Sequence, residues 1–126
     1  MSDQTFRRIF LVGALWNLFG AGLFFIFWRQ AFAFFQLEPP NYLAFFQSWL
    51  ALAFVFGIGY YYVFRDLYAN LNIVRLGIYG KMGFAVIFIY HVAVGDFHPV
   101  FLSGAIIDLV FAGLYALFLA HARRKT

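Results

Sequence analysis

The chain has no cysteine, which removes disulfides, thiol nucleophiles and thiolate metal sites together. Charge is scarce as well: 11% of the 126 residues are charged, five of them acidic and nine basic. A soluble domain carries about 25% charged residues and about 45–50% apolar ones. Only three prolines interrupt the chain, and two of them are the neighbours Pro39 and Pro40. No nucleophile–base set, phosphate-binding glycine loop or nucleic-acid motif is present. Nothing in the sequence therefore specifies a reaction, and the expectation is a protein without catalysis.

What fills the chain instead is apolar: 65% hydrophobic residues, 25% of all residues aromatic. A water-soluble fold of this length leaves a large share of its surface exposed and could not hide so much of it. Lipid is the expected solvent. The net charge of +4 belongs to residues at the ends of apolar runs, so it is read as membrane topology rather than as a nucleic-acid surface.

A helix needs about 20 predominantly apolar residues to cross a bilayer. Four such runs occur, at 8–28, 42–64, 73–95 and 99–120. The stretch 29–41 holds Glu38 and the proline pair and reads as a connection, with its apolar 31–35 at or in the membrane interface. The connections 65–70 and 95–99 are short, which favours antiparallel neighbours. The expected fold is an all-α membrane protein, one domain over 1–126, its four spans forming an up-down-up-down bundle. Continuous apolar runs, rather than alternation with period two, argue against a β-barrel. MSDQTFRRIF leads into the first run without a small-residue cleavage site, so a retained first span is expected. With both termini inside, Arg7, Arg8, Arg65, Arg75, Arg123, Arg124 and Lys125 face the cytoplasm and Arg29 alone lies outside, as the positive-inside rule requires.

Lys81 breaks the third run near its middle, and an ionisable group in hydrocarbon marks a candidate site. At a rise of 1.5 Å per residue it lies roughly 13 Å from the inner end of its span. Asn17 and Asp108 fall at a similar depth in the first and fourth spans. Gln47 of the second span adds an amide somewhat nearer the outside. Gly13, Gly77 and Gly104 each stand four residues before Asn17, Lys81 and Asp108, on the same helix face, where small residues let membrane helices approach. A Lys81–Asp108 pair inside the bundle is expected. Two readings stand beside each other: polar glue that fixes helix register, or a site for a ligand or transported substrate. A cavity walled by Phe54, Phe84, Phe88 and Phe111 is compatible with either.

His91, Asp96 and His98 gather at the outer end, and imidazole with carboxylate suits zinc or iron. No spacing sets two of them on one helical face, and His98-Pro99 is also a natural helix start, so they remain weak metal candidates. No cofactor is specified.

The glycine–lysine step LGIYGKMGF in the third of four short spans resembles the DoxX-like group of small bacterial membrane proteins. The resemblance implies a bacterial cytoplasmic membrane and an accessory or small-ligand role; some members of that group are associated with quinone-linked redox complexes. No catalytic residue carries over. The functional expectation is an accessory subunit or binder of a lipophilic small molecule, quinone among the candidates. The partners expected are the lipid bilayer and possible membrane-complex subunits, with no nucleic acid. The alternative is a small transporter or channel using Lys81 and Asp108, dimeric because four short helices enclose little room.

Overall fold

The computed structural model describes residues 1–125, and among them there is no strand. Four long helices make up the chain: α1 (Asp3–Phe34), α2 (Leu43–Arg65), α3 (Leu71–Val94) and α4 (Leu102–Arg124). A single 3-10 turn, Pro99–Phe101, leads into α4. All four are long and apolar enough to cross a membrane, and their outer faces carry large exposed apolar side chains such as Phe19, Ile26, Leu52, Val86 and Ile106.

α1 corrects the expected boundary at residue 28. The helix continues to Phe34, bending at Phe27, whose φ of −108° and ψ of 21° are non-helical. Neither proline nor glycine stands at the bend. Beyond it, Phe32 packs against Phe24, Trp28 and Phe46 and reaches Phe101. The apolar 31–34 is thus the last turn of a bent helix, with Phe35 as its C-cap, and not part of a loop.

Several helix ends are closed by local hydrogen bonds. Ser2 accepts a hydrogen bond from the Thr5 N–H at the start of α1. α1 stops in a Schellman turn: the Leu37 N–H bonds Phe32 O at 2.8 Å, and Gln36 takes a left-handed φ of 56°. α3 stops the same way, with the Asp96 N–H on His91 O and Gly95 at φ 89°. Between α2 and α3 the Asn70 amide donates to Tyr62 O, which also accepts the Asp66 N–H, and to Asp66 O just past the end of α2.

Neighbouring helices run antiparallel. The start of α1 meets the ends of α2 and α4 through Arg7 with Phe64 O and Phe6 with Phe118. The start of α2 meets the end of α3 through Trp49 with Phe84 and Phe88. The tightest packing is within the pairs α1–α2 and α3–α4. The molecule then divides along its length. At the end holding the chain termini, Phe6, Phe10, Val63, Leu67, Val74, Tyr115 and Phe118 are almost fully buried and form a solid core. The opposite half is hollow.

Candidate functional site

The hollow half contains a cavity of about 530 Å³, and its floor is the boundary with the solid core. Lys81 of α3 lies on that floor, 5% exposed, with Nζ donating to Asp108 Oδ1 of α4 at 2.8 Å and to Asn17 Oδ1 of α1 at 3.2 Å. The Asn17 amide in turn donates to Ala53 O of α2 at 2.9 Å. One chain of polar contacts therefore crosses all four helices. Asn17 can reach α2 because Gly57 has no side chain: a Cβ there would stand 3.0 Å or less from Asn17 Cβ and the Leu18 side chain. Below Lys81, the Tyr60 ring fills the notch left by Gly77 and lies 5.3 Å from Nζ, as does the Phe111 ring. Both rings are within range of a cation–π attraction.

Lys81 and Asp108 form the least exposed ion pair among the described residues, and its bonds are unequally used. An ammonium has three donors and a carboxylate about four acceptor positions. Among the described residues Lys81 uses two donors, and Asp108 Oδ2 takes no hydrogen bond. Asp108 is 15% exposed and lines the cavity with Lys81, Asn17 and Tyr60, so the few polar groups gather at the floor beneath aromatic walls.

The walls are aromatic: Phe24 and Phe32 from α1, Trp49 and Phe56 from α2, Phe84 and Phe88 from α3, and Phe101 ahead of α4. Trp49 stacks on Phe84 at 5.3 Å, and Phe101 closes on Phe88 and Phe97. Of the four phenylalanines named from sequence, Phe84 and Phe88 line this space. Phe111 packs on the core instead, and Phe54 is exposed on the outer surface. The hollow exists because Gly20, Gly80 and Gly104 line it with nothing where side chains would stand. Gly104 is thus a cavity residue and not the helix contact that its spacing from Asp108 indicated, whereas Gly13 and Gly77 do admit Tyr115 and Tyr60.

The cavity also has a side opening. α1 meets α4 through Phe6, Phe10 and Gly13 against Phe118, Tyr115 and Phe111, all on the core side of Asn17. Around Asn17, Trp16 and Gly20 border both the cavity and a shallow apolar groove on the outer face of α1.

The remaining sequence candidates lie elsewhere. Gln47 is half-buried, six residues before Ala53 on α2, or about 9 Å along the axis, and touches neither Lys81 nor Asp108. His91 and Asp96 pair at 2.8 Å on the surface, while His98 Nδ1 accepts the Val100 N–H and starts the turn before α4. Among the described residues no group of three metal-ligating side chains comes together. Sequence reasoning passed over Trp49, Gly57 and Gly20, whose roles depend on which helix faces which. Comparison with family models, curated proteins and solved structures finds no match to this chain.

Proposed function

We propose that this chain is a small multi-pass protein of a bacterial cytoplasmic membrane that holds a lipophilic small molecule between its helices. It acts as a binding module or as an accessory subunit of a larger assembly. The observation that carries this reading is the cavity itself. Its volume of about 530 Å³ falls in the range of small-molecule sites, and an apolar wall over a few convergent polar groups is their usual composition. Membrane insertion is supported by four helices of sufficient length and apolarity. N-in, C-in orientation is supported by seven basic residues at the terminal end against Arg29 at the other. The side opening between α1 and α4 would then face lipid, so the ligand arrives from the bilayer.

The test is lipid extraction and mass spectrometry of protein purified from membranes, wild type beside Gly104→Trp. A Cβ at 104 meets nothing within contact distance and Gly104 lines the cavity, so an indole there takes up ligand space. Wild type is expected to retain a lipophile that the variant lacks, at similar melting temperatures. Equal amounts in both, or none in either, refutes the reading.

A second reading, a carrier for the same ligand, is favoured by one feature. The packing is tight within α1–α2 and α3–α4, and the site lies between the two pairs, the layout of a rocking transporter. Flux of a fluorescent lipid across reconstituted vesicles, lost in Lys81→Met, distinguishes carrier from binder.

A further inference from the structure

The charge balance of the cavity floor narrows the ligand. Of the chain's nine basic and five acidic side chains, Lys81 and Asp108 are the two inside the bundle, and they neutralise each other. An anionic head group placed there would stand beside Asp108, and a cationic one beside Lys81. Either leaves an uncompensated charge among aromatic walls, which is expensive. A neutral head carries no such cost.

Hydrogen-bond inventory narrows it further. Lys81 keeps one N–H beyond its bonds to Asp108 and Asn17, and Asn17 keeps the second N–H of its amide. Asp108 Oδ2 has no donor among the described residues: Ser103, on the wall, gives its proton to Val100 O, and the Tyr60 hydroxyl, which also lines the cavity, makes no hydrogen bond to it. The floor therefore offers donors and wants one. A ketone, ester or ether can accept from Lys81 but leaves Asp108 Oδ2 bare. A hydroxyl does both: it donates to the carboxylate and accepts from the ammonium. Bonds to ionised partners are the strong class, so the difference should dominate the choice.

We propose that the cavity selects an uncharged amphiphile with a hydroxyl head, held by Asp108 Oδ2 and Lys81 Nζ while its apolar body lies along Trp49, Phe84 and Phe88. The inference rests on the ligand-binding reading above. Straight-chain alcohols, isoprenoid alcohols and diacylglycerols share this head, and the experiment separates them.

Full-length protein in phosphatidylcholine nanodiscs is titrated with cetyl alcohol, its methyl ether, cetyl sulfonate and cetyltrimethylammonium at matched membrane mole fraction. Farnesol and dioleoylglycerol form two further arms. Binding is read from tryptophan emission, because Trp16 and Trp49 line the cavity. At least one hydroxyl probe is expected to bind about tenfold tighter than the methyl ether and either ion. The charge-neutral double variant Lys81→Met/Asp108→Leu, which leaves no orphan charge, is expected to bind alcohol and ether alike. An ether or sulfonate that matches the alcohols, or an alcohol preference that survives in the double variant, overturns the hydroxyl proposal and leaves the cavity reading in place. Silence from every probe brings down both.

Discussion

Lys81 Nζ and Asp108 Oδ1 lie 2.8 Å apart at the level where the packed core gives way to the cavity. The pair is asymmetric in surroundings: Lys81 is 5% exposed, Asp108 15%. That asymmetry decides what each single substitution does.

Removing one partner of a buried ion pair costs about 3–5 kcal/mol, because the other is left uncompensated, while replacing both with apolar residues is often close to neutral. Asp108→Leu strands the more deeply buried ammonium and is expected at the upper end of that range. Lys81→Met strands a carboxylate that still opens on the cavity and is expected nearer the lower end. Lys81→Met/Asp108→Leu should recover most of the loss. Thermal unfolding of the four proteins in one detergent measures the coupling, and additive single effects would show that the pair does not act as a unit.

The Tyr115 hydroxyl is fully buried and has no hydrogen-bond partner among the described residues. It points at Gly13, where a Cβ would collide with it. An unsatisfied buried hydroxyl costs about 1–3 kcal/mol, so Tyr115→Phe should raise the melting temperature. Gly13→Ala should lower it, since the ring is held by stacking on Phe10 at 4.5 Å. Combining the two should recover part of the loss. Gly80→Ala, which meets nothing, should be neutral or gain up to about 1 kcal/mol of helix propensity. A destabilised Tyr115→Phe would mean that the hydroxyl has a partner.

The depth at which Asn17, Lys81 and Asp108 meet was legible in the sequence, because helical rise is fixed and the entry points of the runs are marked by charge and proline. The four helices were legible for the same reason. The bend at Phe27 was not: it has no proline or glycine, and beyond it Phe32 meets Phe46 and Phe101, contacts between residues far apart in sequence. Gly104 shows the limit most clearly. Its spacing from Asp108 matches that of Gly77 from Lys81, yet one opens a cavity and the other admits a tyrosine ring. A missing side chain is ambiguous until the opposing helix is known.

Two Schellman turns in one chain give a matched comparison. Gly95 supplies the left-handed residue at the end of α3, and Gln36 does so at the end of α1. A side chain in that conformation costs about 1–2 kcal/mol, so Gly95→Ala should destabilise by roughly that amount. Gln36→Gly removes the same strain but adds freedom to the unfolded chain, worth about 0.4–1 kcal/mol, so its net gain should be smaller. Melting-temperature shifts of opposite sign are expected. A stabilising Gly95→Ala would contradict the turn assigned there.

The two chain termini are tied through Asp3, which stands ahead of the apolar run of α1. Its Oδ1 lies 2.8 Å from His121 Nε2, accepts the Tyr68 hydroxyl at 2.8 Å and receives Lys125 Nζ at 3.3 Å. These bonds, His121 first and Tyr68 next, favour the ionised carboxylate and hold its pKa down at about 2, below an ordinary value of 3.8. A group whose folded pKa is depressed contributes stability above its unfolded pKa and loses it as pH falls through the folded one. The contribution of Asp3 is therefore complete above about pH 4 and fades toward about pH 2. Asp3→Asn cannot lose a proton and should lack that component. The expected result is a melting-temperature gap between wild type and variant that is constant from neutral pH down to about 4 and closes below it. A gap that stays constant to the lowest pH at which the protein folds would show that Asp3 contributes by its hydrogen-bonding shape and not by its charge.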